Sequence, residues 1–158
     1  MNTGAKRAAL KFWEAVPLVM RAVFSEARKG GHNLAPNHFR ILRALSHRSC
    51  NLSELAEHQD VSLPSMSASV QTLVERGWVE RKRSSSDRRT MSLRLTARGQ
   101  RVLNAEYQRL MDWTARKLSA LSDSEILKIE QGMEALAKLF GSHEYSLPSE
   151  LRMKVKEK

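Results

Sequence analysis

The stretch from Asn51 to Thr96, NLSELAEHQDVSLPSMSASVQTLVERGWVERKRSSSDRRTMSLRLT, constrains this chain more than any other. Its apolar spacing is helical before Gly77 and alternating after it. Asn51 can cap a short helix, and Glu54, three residues on, can bond back to the cap. Leu52, Leu55 and Ala56 make that helix's apolar face. His58-Gln59-Asp60-Val61 reads as a tight turn, with Asp60 where a left-handed residue is needed, a conformation Asp tolerates better than most. Ser62 then caps a second helix, and Pro64 falls in its first turn, where a missing N–H costs little. This helix is expected to reach about Arg76, and Gly77 ends it. Met66, Val70, Leu73 and Val74 repeat at helical spacing and should face a core. Two runs follow, residues 78–83 and 90–95, with apolar residues at alternate positions (Val79; Met91, Leu93, Leu95). Between them lies the polar Ser84-Ser85-Ser86-Asp87-Arg88-Arg89. A short helix, a turn, a helix and a basic hairpin make a helix-turn-helix with a β-hairpin wing.

The outer side of the second helix carries Ser65, Ser67, Ala68, Gln71 and Thr72, behind the cap residue Ser62. Short, mostly uncharged side chains can approach a major groove closely and offer hydroxyls and one amide to base edges. A Ser-rich solvated surface would look the same, and this helix alone does not separate the two. The hairpin favours the first. Arg81, Lys82, Arg83, Arg88, Arg89 and Arg94 concentrate positive charge directly after the candidate reading helix, where phosphate contacts would position it. Ser62, Ser65, Ser67, Ala68, Gln71 and Thr72 are therefore the expected contacts around the bases. Arg81, Arg83, Arg88 and Arg89 are the expected phosphate or minor-groove contacts.

Composition agrees with a polyanionic partner. The 158 residues carry 27 Lys and Arg against 17 Asp and Glu, a net charge of +10. Such a balance favours nucleic acid first and an acidic membrane surface second. No long apolar run suggests a membrane span, and no secretory segment opens the chain, so a cytoplasmic location is expected. The single Cys50 excludes an internal disulfide and suggests a reducing compartment. His32, His38, His47, His58 and His143 show no ligand spacing, so no metal is expected. No nucleophile elbow, phosphate loop or metalloprotease helix is present, so neither an enzyme nor a cofactor is expected.

The rest of the chain reads as helices around this unit. Residues 1–7 are expected to fray. Residues 8–31 keep helical period through Phe12, Trp13, Val16, Met20 and Phe24; Pro17 must kink this helix or mark its true start, and Gly30-Gly31 stops it. Pro36 suits the first position of a helix to about Ser46, with Ala35 at the cap. Residues 36–95 then form the winged helix-turn-helix. Thr96 caps a long connecting helix over residues 96–121. Ser122 and Glu125 make a capping box for a last helix over residues 122–141, and residues 142–158 form a tail. The expected class is mostly α with a small β wing.

The block from Pro64 to Gly99 resembles the signature region of the MarR-type winged-helix transcriptional regulators. That family's reading helix ends in a Leu-x-x-x-Gly-Leu-Val-x-Arg run, matched here by Leu73, Gly77, Val79 and Arg81, with Trp78 in place of Leu. Asp87-Arg88-Arg89 resembles the second half of the family's wing pattern, and Leu95, Thr96 and Gly99 match the Leu-Thr-x-x-Gly that follows. Ala68 stands where many relatives carry Arg, and Ser84-Ser85-Ser86 replaces the Asp-Pro-Arg of the wing tip. The resemblance gives Asp87 a role in shaping the wing.

The resemblance implies a homodimer in which residues 8–31 and 122–141 interlock with a second subunit. Two reading helices would then meet successive major grooves about 34–36 Å apart on a pseudo-palindrome of double-stranded DNA. It also implies a repressor relieved by a small aromatic or phenolic effector, with Trp13, Met20, His38, Arg43, Tyr107 and Met111 as candidate contacts. Each of those six reads better as core or interface filler. Cys50 lies near the start of the Asn51-capped helix, which would lower its pKa, but it has no second cysteine to resolve an oxidised form. Two other readings stay open: a winged-helix module that binds protein, and a basic DNA-binding protein without sequence preference.

Overall fold

The structure, a computed structural model, describes residues 2–32, 34–83 and 91–141. Among them the order is α1 (Thr3–Ala27), α2 (Pro36–His47), α3 (Leu52–His58), α4 (Leu63–Glu75), β1 (Val79–Arg83), β2 (Met91–Leu95), α5 (Ala97–Leu118) and α6 (Asp123–Phe140). The mostly helical class with a two-stranded wing is thus as the sequence indicates.

Local chemistry sets most of these boundaries. Asn51 accepts from the Glu54 N–H at 2.8 Å, and Glu54 accepts from the Asn51 N–H at 2.8 Å, a closed capping box. Asp60 takes φ 53°, so the chain reverses between α3 and α4. The Ser62 hydroxyl accepts from the Ser65 N–H at 3.4 Å, and Gly77 leaves α4 with φ 69°. Thr96 accepts from the Gly99 N–H at 3.0 Å and opens α5.

One core lies under the helix-turn-helix. Ile41, Leu42 and Leu45 of α2, Leu55 of α3, Met66, Val70 and Leu73 of α4, Trp78 and Val79 at the wing base, Leu93 of β2 and Leu103 of α5 are all buried in it. The wing pairs antiparallel with Val79 opposite Leu95 and Arg81 opposite Leu93. A bridge between Cys50 and Leu93, with the Leu93 N–H donating to the Cys50 carbonyl at 2.8 Å, ties the α2–α3 connection onto the sheet. The wing's alternation holds only at its base. Met91 is 47% exposed, because β2 has run beyond the helices that cover Leu93.

The first helix differs from expectation. It begins at Thr3 rather than near residue 8, because the Asn2 side chain caps it by accepting from the Gly4 N–H at 2.9 Å. Pro17 lies inside the helix and does not start it. The proline leaves one main-chain carbonyl of the preceding turn without its helical donor, and Trp13 and Pro17 are both exposed, so water can serve that carbonyl. The helix stops at Ala27, before Gly30-Gly31. Helix α5 likewise stops at Leu118, short of residue 121.

Neither α1 nor α6 buries a residue. They touch through Phe12 and Phe140, whose rings stack at 6.0 Å. Even so, Trp13 is 72% and Phe140 74% exposed, and Leu10, Leu18, Val19, Met20, Leu127, Met133 and Leu139 are exposed with them. The two terminal helices do not cover each other's apolar faces.

Candidate nucleic-acid interface

Helix α4 is held rigidly from behind. Met66, Val70 and Leu73 are at most 2% exposed, so its opposite side is presented to solvent in a fixed orientation. Ser62, Ser65, Ala68 and Gln71 are exposed there; Ser67 and Thr72 are partly covered. The hydroxyls form a short chain in which Ser62 donates to Ser65 Oγ at 2.9 Å, leaving the Ser65 hydroxyl its own proton to donate. Thr72 donates to the Ala68 carbonyl at 3.2 Å, which turns its methyl away from that bond. Gln71 Nε2 donates to Glu75 Oε1 at 2.9 Å. One amide hydrogen is thereby committed; the other and the carbonyl oxygen remain for a partner. Behind this face, Asn37 of α2 donates to Ser69 Oγ at 3.0 Å, and Arg40 donates to the Gln59 carbonyl at 3.1 Å.

The wing strands divide their charges between two faces. In the observed register, Val79, Arg81 and Arg83 share a side with Leu95, Leu93 and Met91. Arg81 and Arg83 are exposed and continue outward from the core layer. Lys82 lies on the other side, paired with Glu80 at 2.9 Å; both side chains are solvated, so this pair adds little stability. Asp87, Arg88, Arg89 and the Ser84-Ser85-Ser86 run lie outside the described residues, as do His143 and residues 142–158.

Where α4 meets the wing, Trp78 replaces the expected Leu and is buried. Arg76 lies over its ring at 5.0 Å, and Arg76 Nη1 donates to the His32 carbonyl at 3.4 Å. Arg76 is therefore turned back onto the protein, away from the exposed face of α4.

The six effector candidates are not gathered into one cavity. Trp13 and Met20 lie on the exposed side of α1. Tyr107 of α5 packs edge-on against Phe39 of α2 at 4.9 Å, with Arg43 close enough to act electrostatically on the phenol. Burial pushes the Tyr107 hydroxyl upward and the His38 imidazole downward in pKa, Arg76 adding to the latter. The Tyr107 hydroxyl and His38 Nδ1 are buried without a hydrogen-bond partner among the described residues. A cleft of about 160 Å³ does open nearby, but between α2 and α3, lined by Ala44, His47, Arg48, Cys50, Glu54, Leu55 and His58. None of the six candidates lines it.

Cys50 departs from the sequence argument. The start of α3 should favour its thiolate, yet burial raises its pKa, Glu54 adding to the effect and Arg48 opposing it. At 8% exposure, desolvation outweighs a helix terminus. Among the described residues, no group of three or more His, Cys, Asp or Glu side chains could hold a metal, and no helix is long and apolar enough to cross a membrane.

Sequence reasoning missed Glu106. It is 3% exposed and is the one buried acid among the described residues. Arg109 grips it with Nη2 at 2.6 Å and Nε at 3.2 Å, and reaches Glu26 Oε1 at 2.9 Å and the Glu26 carbonyl at 3.0 Å. Lys29 also pairs with Glu26, at 3.1 Å, and lowers its pKa, as does Arg109. The Glu-x-x-Arg spacing was visible; the partner 83 residues away was not.

The MarR family model matches residues 32–90, which hold α2 through β1 and the segment beyond. Over those residues the chain carries the helix-turn-helix signature of the MarR family of transcriptional regulators. That family consists of regulators and not of enzymes. The chain is 29% identical over 114 residues to the uncharacterized HTH-type transcriptional regulator YpoP of Bacillus subtilis (strain 168), covering 68% of this chain and 81% of YpoP. In fold it resembles RV1404 from Mycobacterium tuberculosis, with TM-score 0.77 at 20% identity over 92% of this chain and all (100%) of that one. FabT of Streptococcus pneumoniae, whose structure is a complex with DNA, superposes with TM-score 0.63 at 18% identity over 85% of this chain and 96% of its own. These two likenesses establish the MarR-like winged-helix fold.

Proposed function

We propose that this MarR-like protein binds double-stranded DNA sequence-specifically as a homodimer and represses transcription by occluding the promoter. One observation carries the reading: α4 is packed on its inner side through the buried Met66, Val70 and Leu73 and exposes Ser62, Ser65, Ala68 and Gln71 on its outer side, next to the exposed Arg81 and Arg83. The DNA complex of FabT, which shares the fold, supports it. Gln71 is the principal base reader. With one N–H held by Glu75, its other N–H and its carbonyl can meet adenine N7 and N6 together. Ser65 and Ser67 offer hydroxyls, Thr72 supports the same face, and Ala68 can meet a thymine methyl. Arg81, Arg83, Arg88 and Arg89 neutralise phosphates.

The unpartnered apolar faces of α1 and α6 support the homodimer, since a second copy would bury them. A small aromatic or phenolic effector would bind along α2 and α5, around His38, Arg43, Tyr107 and Met111, with Trp13 and Met20 on the α1 side. It would act by favouring a dimer whose reading helices are wrongly spaced.

The test is duplex affinity measured by fluorescence anisotropy as salt is raised. Log affinity should fall linearly with log salt. Arg88→Ala should weaken all duplexes alike and reduce the slope by about 1, whereas Gln71→Ala should keep the slope and relax preference at one base pair in each half-site. An unchanged slope removes Arg88 from the phosphate contacts, and unchanged base preference removes Gln71 from the readers.

A further inference from the structure

Helix α5 belongs to two parts of the molecule. Its first half is built into the core beneath α4: Gly99, Val102, Leu103 and Glu106 are buried. Its neighbour α1 is built into nothing and displays a long apolar face. The end of α1 meets α5 at a single ionic cluster. Arg109 forks onto the buried Glu106 carboxylate and, with its remaining nitrogen positions, takes both the side chain and the main-chain carbonyl of Glu26 in the last turn of α1. A cation at a helix C-terminus also complements the helix dipole. The chain leaving α1 then passes directly over the same carboxylate. A Cβ on Gly30 would lie 2.7 Å from Glu106 Oε2 and 3.3 Å from the Ala27 carbonyl, so any side chain here would have to displace the Glu106 carboxylate.

Stability alone does not explain such an arrangement. A buried ion pair recovers its desolvation only partly, and apolar side chains of similar volume commonly serve as well or better. What the fork supplies is direction: a planar guanidinium with fixed donors accepts its partners in one geometry, and three of those partners sit on two different elements. We propose that Arg109 is a positioning residue that sets the angle between α1 and the α4 lobe, and through it the separation of the two reading helices. The inference rests on the homodimer proposed above. A displacement of about 3.4 Å, one base-pair rise, is enough to shift half-site register, so a loosened joint would cost spacing selectivity without touching the bases.

The experiment measures the distance between the two copies of α4 directly. A spin label is placed at Ala68→Cys in a Cys50→Ala background, and the dipolar distance distribution is recorded for the intact protein and for Glu106→Leu/Arg109→Met, an apolar replacement of the pair. Thermal unfolding of each accompanies it. The parent should give one narrow distribution; the apolar variant, with its unfolding midpoint retained, should give one that is broadened or displaced by about a base-pair rise or more. Arg109→Lys, which keeps the charge but loses the fork, should broaden it as well, so the result does not depend on the double variant folding. Superimposable distributions in all three proteins would overturn the proposal. Absence of any dipolar coupling in the parent would remove the homodimer instead, and the proposal with it; that failure is recognisable because it appears before any change at the joint.

Discussion

Replacing Gly99 by alanine is expected to destabilise the protein by about 3 kcal/mol or more, the upper end of what overpacking a core costs. The reason is the junction between α4, the wing and α5. Gly77 turns the chain out of α4, and Trp78 is driven into the core with its carbonyl facing the first turn of α5. Thr96 closes that junction: its N–H donates to the Trp78 carbonyl at 3.0 Å, and its hydroxyl donates to the Gly77 carbonyl at 2.8 Å. A Cβ on Gly99 would overlap the Trp78 carbonyl and lie 2.7 Å from Leu95 Cδ1. Leu95 can rotate, but the Trp78 carbonyl cannot yield, since Trp78 is 5% exposed and its backbone is bonded on both sides. Alanine is the better helix former by about 1 kcal/mol, but that gain is too small to reverse the sign. Urea denaturation checks it. A midpoint equal to the parent's would mean that the Trp78 carbonyl does not approach α5 as described.

Arg109→Ala is the second large effect, and its origin is electrostatic. Removing the guanidinium leaves Glu106 with an uncompensated carboxylate at 3% exposure. Fully enclosed pairs lose about 3–5 kcal/mol when one partner is removed. Arg109 is itself 29% exposed, so water can reach part of the site, and about 2–3 kcal/mol is expected. The double replacement Glu106→Leu/Arg109→Ala should recover most of that loss, because no buried charge remains. If the single variant were as stable as the parent, Glu106 would have to be solvated or paired elsewhere.

The contrast between these two sites shows what can be read from a sequence and what cannot. Asn51, Glu54, Asp60, Ser62 and Gly77 each act within a few residues of themselves, through caps and left-handed turns, as does the cap that Thr96 makes to the Gly99 N–H. Local signals of that kind made the helix-turn-helix and wing legible, together with the outward face of α4. Glu106 is different: as one of many charged residues at helical spacing it reads as solvated surface, and only a partner 83 residues away explains its burial. Cys50 misled for the same reason. Its nearness to the start of α3 was visible, but the strand that covers it, through Leu93, lies far along the chain. Periodicity also identified the apolar stripes of α1 and α6 without saying what covers them, since a stripe buried by its own chain and one buried by a second copy look alike. The start of α1 was misplaced because Asn2 is a stronger cap than a basic, polar leader suggests.

If two α4 helices contact DNA as a fixed pair, as proposed, selection of duplexes from a random-sequence pool at near-physiological salt will reveal their spacing. The expected product is a pseudo-palindromic motif whose two half-sites lie about one helical turn, or 34–36 Å, apart. Recovery of duplexes with no shared motif, or of isolated half-sites at random separations, would contradict the fixed pair.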